Sequence, residues 1–440
     1  MNILSFLPRF RAAEKALAEL ETREAWTREQ ISAFQLLRLN QLWSDAILNT
    51  AHYRNLAKSR SLPGQFTSLE HFQATCPILD KNLVRTGQRD FLSEKAGSGK
   101  WYHSGGSTGK PASYFRSKEA HLEMLQRRYR GQKMWGIGIF DRWVFLWGHA
   151  ESFSPGLKGA IARCKQPILD HLRSRLRISA YDLSSSSLRS YLGRIAKFKP
   201  AAIYAYSTAG YLLAKEAKAT GFRCPSLKLI VLTAEPVFPH IVKECEEAFG
   251  VPTVTEYGSA ETGVLAFEWP DRTLRIQEDI FFVETPKRED GRYDIVVTIL
   301  NSNAFPLIRY AIGDVTDHPI ELHNEGFASL RNIAGRHQDL IIGKSGEPLY
   351  ASWFEDLLEH DDAIRCYQVH QTKSGDLLVS LETKRSDVLP DVRNIQRRFA
   401  ERVGYGVTVS LVDKLPSTPA GKHRWITSEL ANEKTLQILN

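Results

Sequence analysis

Residues 102–113 read YHSGGSTGKPAS, a run of hydroxyls, glycines and one lysine closed by alanine and serine after a proline. Gly and Pro are the poorest helix formers, so the run is a loop. Successive backbone N–H groups in a Gly-rich turn form an anion-binding concavity, to which Ser104, Ser107, Thr108 and Lys110 add donors. The spacing excludes a Walker loop. Counting back from Gly109 and Lys110 puts Ser104 where the first glycine belongs, and Pro111 stands at the metal-binding hydroxyl position. Composition alone leaves two readings open, a phosphate-gripping loop and a flexible surface loop. Other segments carry chemistry that fits the first: TAEP (233–236), EYGSAETG (256–263), IRYAIGD (308–314), GRHQDLI (335–341) and PSTPAGKHRW (416–425).

The elements that must position these segments follow from pattern. Residues 9 to about 60 read as a helical lead-in, with apolar residues at three- and four-residue spacing: Ala33, Leu36, Leu39, Trp43 and Ile47. WVFLWG (143–148), AAIYAY (201–206) and LKLIVL (227–232) are short apolar runs of the kind buried on both faces of a parallel sheet. Between them, a helix capped by Ser207 stops at Gly221, and a second with Pro239 at its start stops at Gly250. Alternating strands and helices predict βαβ units and a mostly parallel α/β sheet. TAEP and EYGSAETG then emerge at the carboxyl edge, where ligands bind. After residue 270 the chain turns strand-rich. Beyond about residue 335 the runs AIRCYQVHQ, LLVSLETK, a helix near 388–403 and VTVSLV predict a small α+β domain. The domains expected are thus 1–334, large, and 335–440, small.

Composition narrows the function classes. The formal charge of +8 is spread over 58 basic and 50 acidic residues, without the single dense stripe or known module of a nucleic-acid binder. No apolar run approaches a membrane span. The basic residues of the N-terminal stretch follow its apolar part, the wrong order for a secretory signal. Cys76, Cys164, Cys224, Cys245 and Cys366 are scattered without a CxxC pair, which fits a reducing compartment, and a cytoplasmic protein is expected.

Taken in order, the Ser/Thr/Gly-Lys-Pro loop, the AEP turn, the Tyr-Gly-x-x-Glu segment, the Arg-Tyr…Gly-Asp segment, the Gly-Arg…Asp segment and the C-terminal Gly-Lys resemble the phenylacetate–coenzyme A ligase family of adenylate-forming enzymes. LNQLWSDAILNTAHYRNL and SLEHFQATCPILDKNLVR extend the resemblance toward the N-terminus, and the compact length resembles the branch associated with capsular polysaccharide biosynthesis. The resemblance implies a large adenylation domain, a small mobile one, and a ligase that uses ATP and Mg²⁺ to form an acyl-adenylate and pyrophosphate. A thiol then takes the acyl group, with coenzyme A the first candidate. An amine, hydroxyl or carrier-protein acceptor, or a nucleotide-binding pseudoenzyme, are the alternatives.

Residue by residue, the resemblance implies that Ser104, Ser107, Thr108 and Lys110 close over the β- and γ-phosphates. Glu261 matches the Mg²⁺ ligand, although a Glu after a glycine turn is by itself more often a helix N-terminal charge. Tyr257, Gly258 and Ser259 border the nucleotide, with Ala234, Glu235 and Pro236 along its other edge. Asp314 matches the acceptor of the ribose hydroxyls, Arg336 the Arg near ribose and phosphate, and Asp339 the hinge. Lys422 matches the lysine that reaches the carboxylate and α-phosphate during adenylation. One departure stands out. The family usually carries Ser or Thr before the Glu, whereas this chain has Ala260, with Ser259 next door as a substitute. Trp147, His149 and Glu151 also depart from the Gly-rich acyl-pocket pattern and imply a polar or amino-bearing acid, unless they are core residues.

Overall fold

A computed structural model of the chain describes residues 16–103, 112–148, 170, 173–331, 333–336, 340–346, 348–350, 354, 358, 361, 363–383, 389–418 and 422–430. The expected loop residues Ser104, Ser107, Thr108 and Lys110, the pocket residues His149 and Glu151, and the hinge Asp339 lie outside them.

The helical lead-in is broken where polar caps interrupt it. Helix Arg28–Asn49 starts at a capping box, in which the Gln30 amide donates to the Thr27 hydroxyl at 3.3 Å and the Thr27 amide donates to the Gln30 side chain at 2.9 Å. Thr50 is extended and separates it from helix Ala51–Ser59. The buried stripe includes Ile31, Leu39, Leu42, Trp43 and Ala46, while Ala33 is exposed.

An eight-stranded sheet forms the centre of the large lobe, in the order Ser329–Leu330, Leu274–Ile276, Gly263–Glu268, Thr253–Ser259, Leu229–Thr233, Ala202–Tyr206, Trp143–Trp147 and Arg175–Ser179. From Thr253–Ser259 to Arg175–Ser179 all neighbours are parallel, and the remainder are antiparallel. Helices Ser207–Thr220 and Pro239–Phe249 make the crossovers and stop at Gly221 and Gly250, both left-handed. Ser207 does not cap its helix. The cap position is Tyr206, no side chain of the cap bonds back, and the Ser207 hydroxyl is buried without a partner.

A four-stranded antiparallel sheet, Phe281–Glu284, Tyr293–Ile299, Tyr310–Thr316 and Ile333–Arg336, flanks the first. The expected boundary at residue 335 therefore falls inside the last strand of this sheet. The small C-terminal region has its own four-stranded sheet, Val407–Val412, Leu377–Thr383, Ile364–Gln371 and Ile426–Ser428, backed by helix Val392–Val403. Its apolar residues Val369, Leu381, Phe399 and Trp425 join one cluster with Val144, Ile203, Leu232 and Ile241 of the large lobe. No helix among the described residues is long and apolar enough to cross a membrane.

Ion pairs tie the lead-in and helix Lys118–Lys133 to the connection between strands Leu274–Ile276 and Phe281–Glu284. Arg28 grips Glu278 with two bonds of 2.7 and 2.8 Å. Arg130, 2% exposed, grips Asp279 at 2.9 and 3.1 Å. Burial alone pushes the Asp279 carboxyl up, but Arg130 and Arg127 outweigh it and hold the group below the usual carboxylate range. The stabilisation is therefore present above the unfolded pKa and lost as pH falls through the lower folded one. Asp279→Ala leaves Arg130 buried without its counter-ion and is expected to cost about 3–5 kcal/mol. The urea midpoint of the large lobe measures this, and an unchanged midpoint would mean that the pair is inert.

Candidate active site

Tyr206, Thr233 and Glu256 stand in one row across neighbouring parallel strands, so the segments that follow them meet at the carboxyl edge. The first is the AEP turn. Ala234 has a left-handed backbone, φ +69°, a conformation that costs a non-glycine residue on the order of 1–3 kcal/mol and persists only where surroundings enforce it. Glu235 supplies that enforcement. Its Oε2 accepts from the Thr208 amide at 2.9 Å, doing for the helix N-terminus what the Ser207 side chain does not. Its Oε1 accepts from the His423 amide in the small lobe at 2.6 Å. Burial pushes this carboxyl up, against the pull of both amides and of Lys422.

Beside the turn, Tyr257, Gly258 and Ser259 are not a loop after a strand but the end of strand Thr253–Ser259 itself. A bulge lies between Tyr257 and Gly258, and a side chain at Gly258 would place Cβ 1.8 Å from the Gly263 carbonyl oxygen, so only glycine fits. The Tyr257 hydroxyl donates to Asp314 Oδ2 at 2.8 Å. Asp314 lies in strand Tyr310–Thr316, directly opposite Arg336 on the neighbouring strand. The antiparallel pairing, rather than a turn, brings Asp314 and Arg336 together.

Glu261 follows, 7% exposed. Lys81 Nζ lies 3.1 Å from its Oε1, and the Tyr310 hydroxyl donates to the same oxygen at 3.3 Å. Burial pushes the Glu261 carboxyl up, but Lys81, its own amide and Ser259 outweigh burial and hold it below the usual range, hence ionised. Arg116 NH2 donates to the backbone oxygens of Ala260 at 2.8 Å and Glu261 at 3.2 Å. Arg116 sits on the antiparallel pair Gly99–His103/Ser113–Ser117, whose strands are joined in sequence by the Gly/Ser/Thr run. The strand pair is thus bound to the Glu261 segment.

From the small lobe, Lys422 Nζ comes to 5.8 Å from the centre of the Tyr206 ring. Its backbone is fixed by reciprocal bonds with Thr418, at 3.1 and 2.9 Å. On the same sheet face, Trp147 packs on Tyr206 and Tyr204 with centroids 4.0 and 5.4 Å away. The Tyr204 hydroxyl donates to Glu256, which also pairs with Arg128 at 3.2 Å. Glu256 is 4% exposed, and its Oε2 has no hydrogen-bond partner among the described residues.

Comparison with known proteins places this geometry. No protein-family model matches the chain. Over most of its length it is similar to Protein CapK of Staphylococcus aureus, 21% identical over 412 residues covering 89% of this chain and 88% of that one. It is also similar to the phenylacetate–coenzyme A ligase of Thermus thermophilus, 26% identical over 390 residues, 82% of this chain and 81% of that one. The structure superposes on 2-hydroxyisobutyryl-CoA ligase in the postadenylation state, bound to 2-HIB-AMP, with TM-score 0.73, 19% identity, and 95% and 93% of the two chains covered. The chain has the acyl-adenylate-forming ligase fold. The same ligase in its thioesterification state gives a TM-score of 0.61, and in an open conformation 0.60.

Within the adenylate-forming fold, the structure brings together Ala234, Glu235, Pro236, Tyr257, Gly258, Ser259, Glu261, Asp314, Trp147 and Lys422 at or beside one sheet edge. Ser259, next to Ala260, has its hydroxyl engaged within its own turn. Its Oγ accepts from the Thr262 amide and contacts the Thr262 hydroxyl, both at 3.1 Å. The sequence reading missed Lys81, Arg116, Arg128, Thr208, Glu256 and Tyr310. Lys81 follows Asp80, the cap of helix Lys81–Thr86, and Glu256 directly precedes Tyr257, so neighbouring motifs marked both. Arg116 and Arg128 carried no local signal, because their partners lie more than a hundred positions away.

Proposed function

We propose that this protein joins a carboxylic acid to the AMP portion of ATP, releases pyrophosphate, and transfers the acyl group to coenzyme A. The observation that carries the reading is the meeting of three units at one edge: the Tyr257–Asp314 pair, the ionised Glu261, and Lys422 arriving from the other lobe. In this reading Tyr257 lies beside adenine, Asp314 accepts the ribose hydroxyls, and Arg336 faces ribose and phosphate. Ser104, Ser107, Thr108 and Lys110 hold the departing phosphates. A carboxylate oxygen of the acid attacks the α-phosphorus as the bond to pyrophosphate breaks, and the Lys422 ammonium neutralises the negative charge that gathers there. Coenzyme A thiolate then displaces AMP.

The residues present fit a magnesium ion. Glu261 is ionised, and no group of three or more metal-ligating side chains exists among the described residues. One carboxylate with phosphate oxygens and waters is the usual protein share for Mg²⁺. Glu261 would hold the ion, which neutralises charge on the phosphates. Asp339 would serve as the hinge, and the scattered cysteines support a cytoplasmic setting.

The acid, in this reading, is polar. Trp147, Tyr206 and Tyr204 form an aromatic wall ending at Glu256, whose free oxygen accepts a hydroxyl or amino group of the acid. Pyrophosphate release with hydroxylamine as trap, across aryl, fatty, hydroxy, amino and sugar-derived acids, tests both statements. Hydroxamate with none of them would remove the reaction. Glu256→Gln is expected to lower kcat/KM for the preferred polar acid by about tenfold, and to change plain acids less. Coenzyme A, a carrier-protein thiol and a sugar amine, offered in turn, decide the acceptor.

A further inference from the structure

We propose that Glu235 is a latch that holds the small lobe in the arrangement used for adenylation, and that it must release before acyl transfer. This rests on the adenylate-forming reading above. Glu235 lies in the AEP turn, expected from sequence to edge the nucleotide, yet both of its oxygens are committed to protein. One accepts the Thr208 amide at the start of helix Ser207–Thr220, and the other accepts the His423 amide. His423 directly follows Lys422. One side chain therefore joins the rigid wall of the large lobe to the backbone that carries the ammonium group.

The bond is suited to switching. A charge-assisted hydrogen bond is strong but geometrically exact, so a lobe rotation breaks it completely instead of stretching it. The carboxylate does not lose all compensation when His423 leaves, since the helix N-terminus continues to solvate it through Thr208. Other contacts across this boundary include a Lys215 bond to the Arg365 carbonyl at 3.3 Å, an Arg365 bond to the Leu183 carbonyl, the Phe238–Trp425 ring pair at 5.9 Å and the Lys422–Tyr206 contact. Among the contacts named here, Glu235 is the one that bonds to the backbone directly after Lys422. Glu235 acts through Lys422 and is a positioning residue.

The test uses Glu235→Gln, which keeps shape but turns an N–H toward one of the amides. Glu235→Asp accompanies it, keeping the charge at the helix while shortening the reach to His423. Three quantities are read: ATP–pyrophosphate exchange, acyl transfer from supplied acyl-adenylate to coenzyme A, and the distance between spin labels at the exposed positions Lys228 and Thr408. Both variants are expected to slow exchange by about tenfold or more, to transfer the acyl group at least as fast as wild type, to bind ATP with unchanged Kd, and to show a longer, broader inter-lobe distance. Weaker ATP binding at an unchanged distance would overturn the latch in favour of a nucleotide contact. Equal loss in both half-reactions, with a lowered melting temperature, would overturn it in favour of a purely structural role. If wild type exchanges pyrophosphate with no acid, the functional reading fails by itself, while the spin-label distances still decide the latch.

Discussion

Lys422→Ala is expected to lower the rate of pyrophosphate release by about 10²- to 10³-fold while ATP binding survives. The reason lies in where the ammonium sits. Lys422 belongs to the small lobe, but its Nζ reaches the Tyr206 ring at the carboxyl edge of the large sheet, and its backbone is held by Thr418 and, one residue on, by Glu235. A fixed cation in a site that excludes water acts on charge as it develops and pays no reorganisation at that moment. In the proposed reading the nucleotide contacts come from the other lobe, so calorimetry should give an ATP Kd within a few-fold of wild type. Acyl transfer from supplied acyl-adenylate should also persist, because the ammonium is needed only in the first step. Wild-type pyrophosphate release in the variant would remove Lys422 from the chemistry.

Glu261→Gln carries the second large effect. The side chain keeps its volume but loses the charge that Lys81 and Tyr310 surround. Loss of a metal's contribution to charge stabilisation is worth several kcal/mol, so adenylation should fall by about two to three decades. The magnesium concentration giving half-maximal rate should rise in parallel. A structural pair predicts something else. Lys81 is partly exposed and tolerates loss of its partner, so a purely structural Glu261 would show a modest change in melting temperature and no change in magnesium dependence. No acid-induced loss is expected near neutral pH. A carboxyl held below its usual pKa contributes stability above the unfolded value and loses it only as pH falls through the folded one.

Much of the framework was legible before any coordinates. The runs at 143–148, 201–206 and 227–232 are strands because apolar residues without alternation can be satisfied only by burial on both faces. Gly221 and Gly250 end helices because their left-handed backbone costs glycine nothing. The Ser207 cap was misread for a physical reason. A hydroxyl at a helix start is the usual local solution for orphan amides, but Glu235, distant in sequence, occupies that place at Thr208. Likewise Asp314 reads as a turn residue from its Gly-Asp dipeptide and is instead a strand residue paired with Tyr257.

The sequence by itself determined the periodicities, the helix ends and the order of the polar segments, since each depends on residues within a few positions of one another. Only the tertiary structure decided which charges meet: Lys81 with Glu261, Arg128 with Glu256, Arg116 with the Ala260 and Glu261 carbonyls, and Glu235 with an amide beside Lys422. Backbone propensity is local, whereas a buried charge must find a partner wherever the packed chain brings one, and no spacing rule encodes that distance.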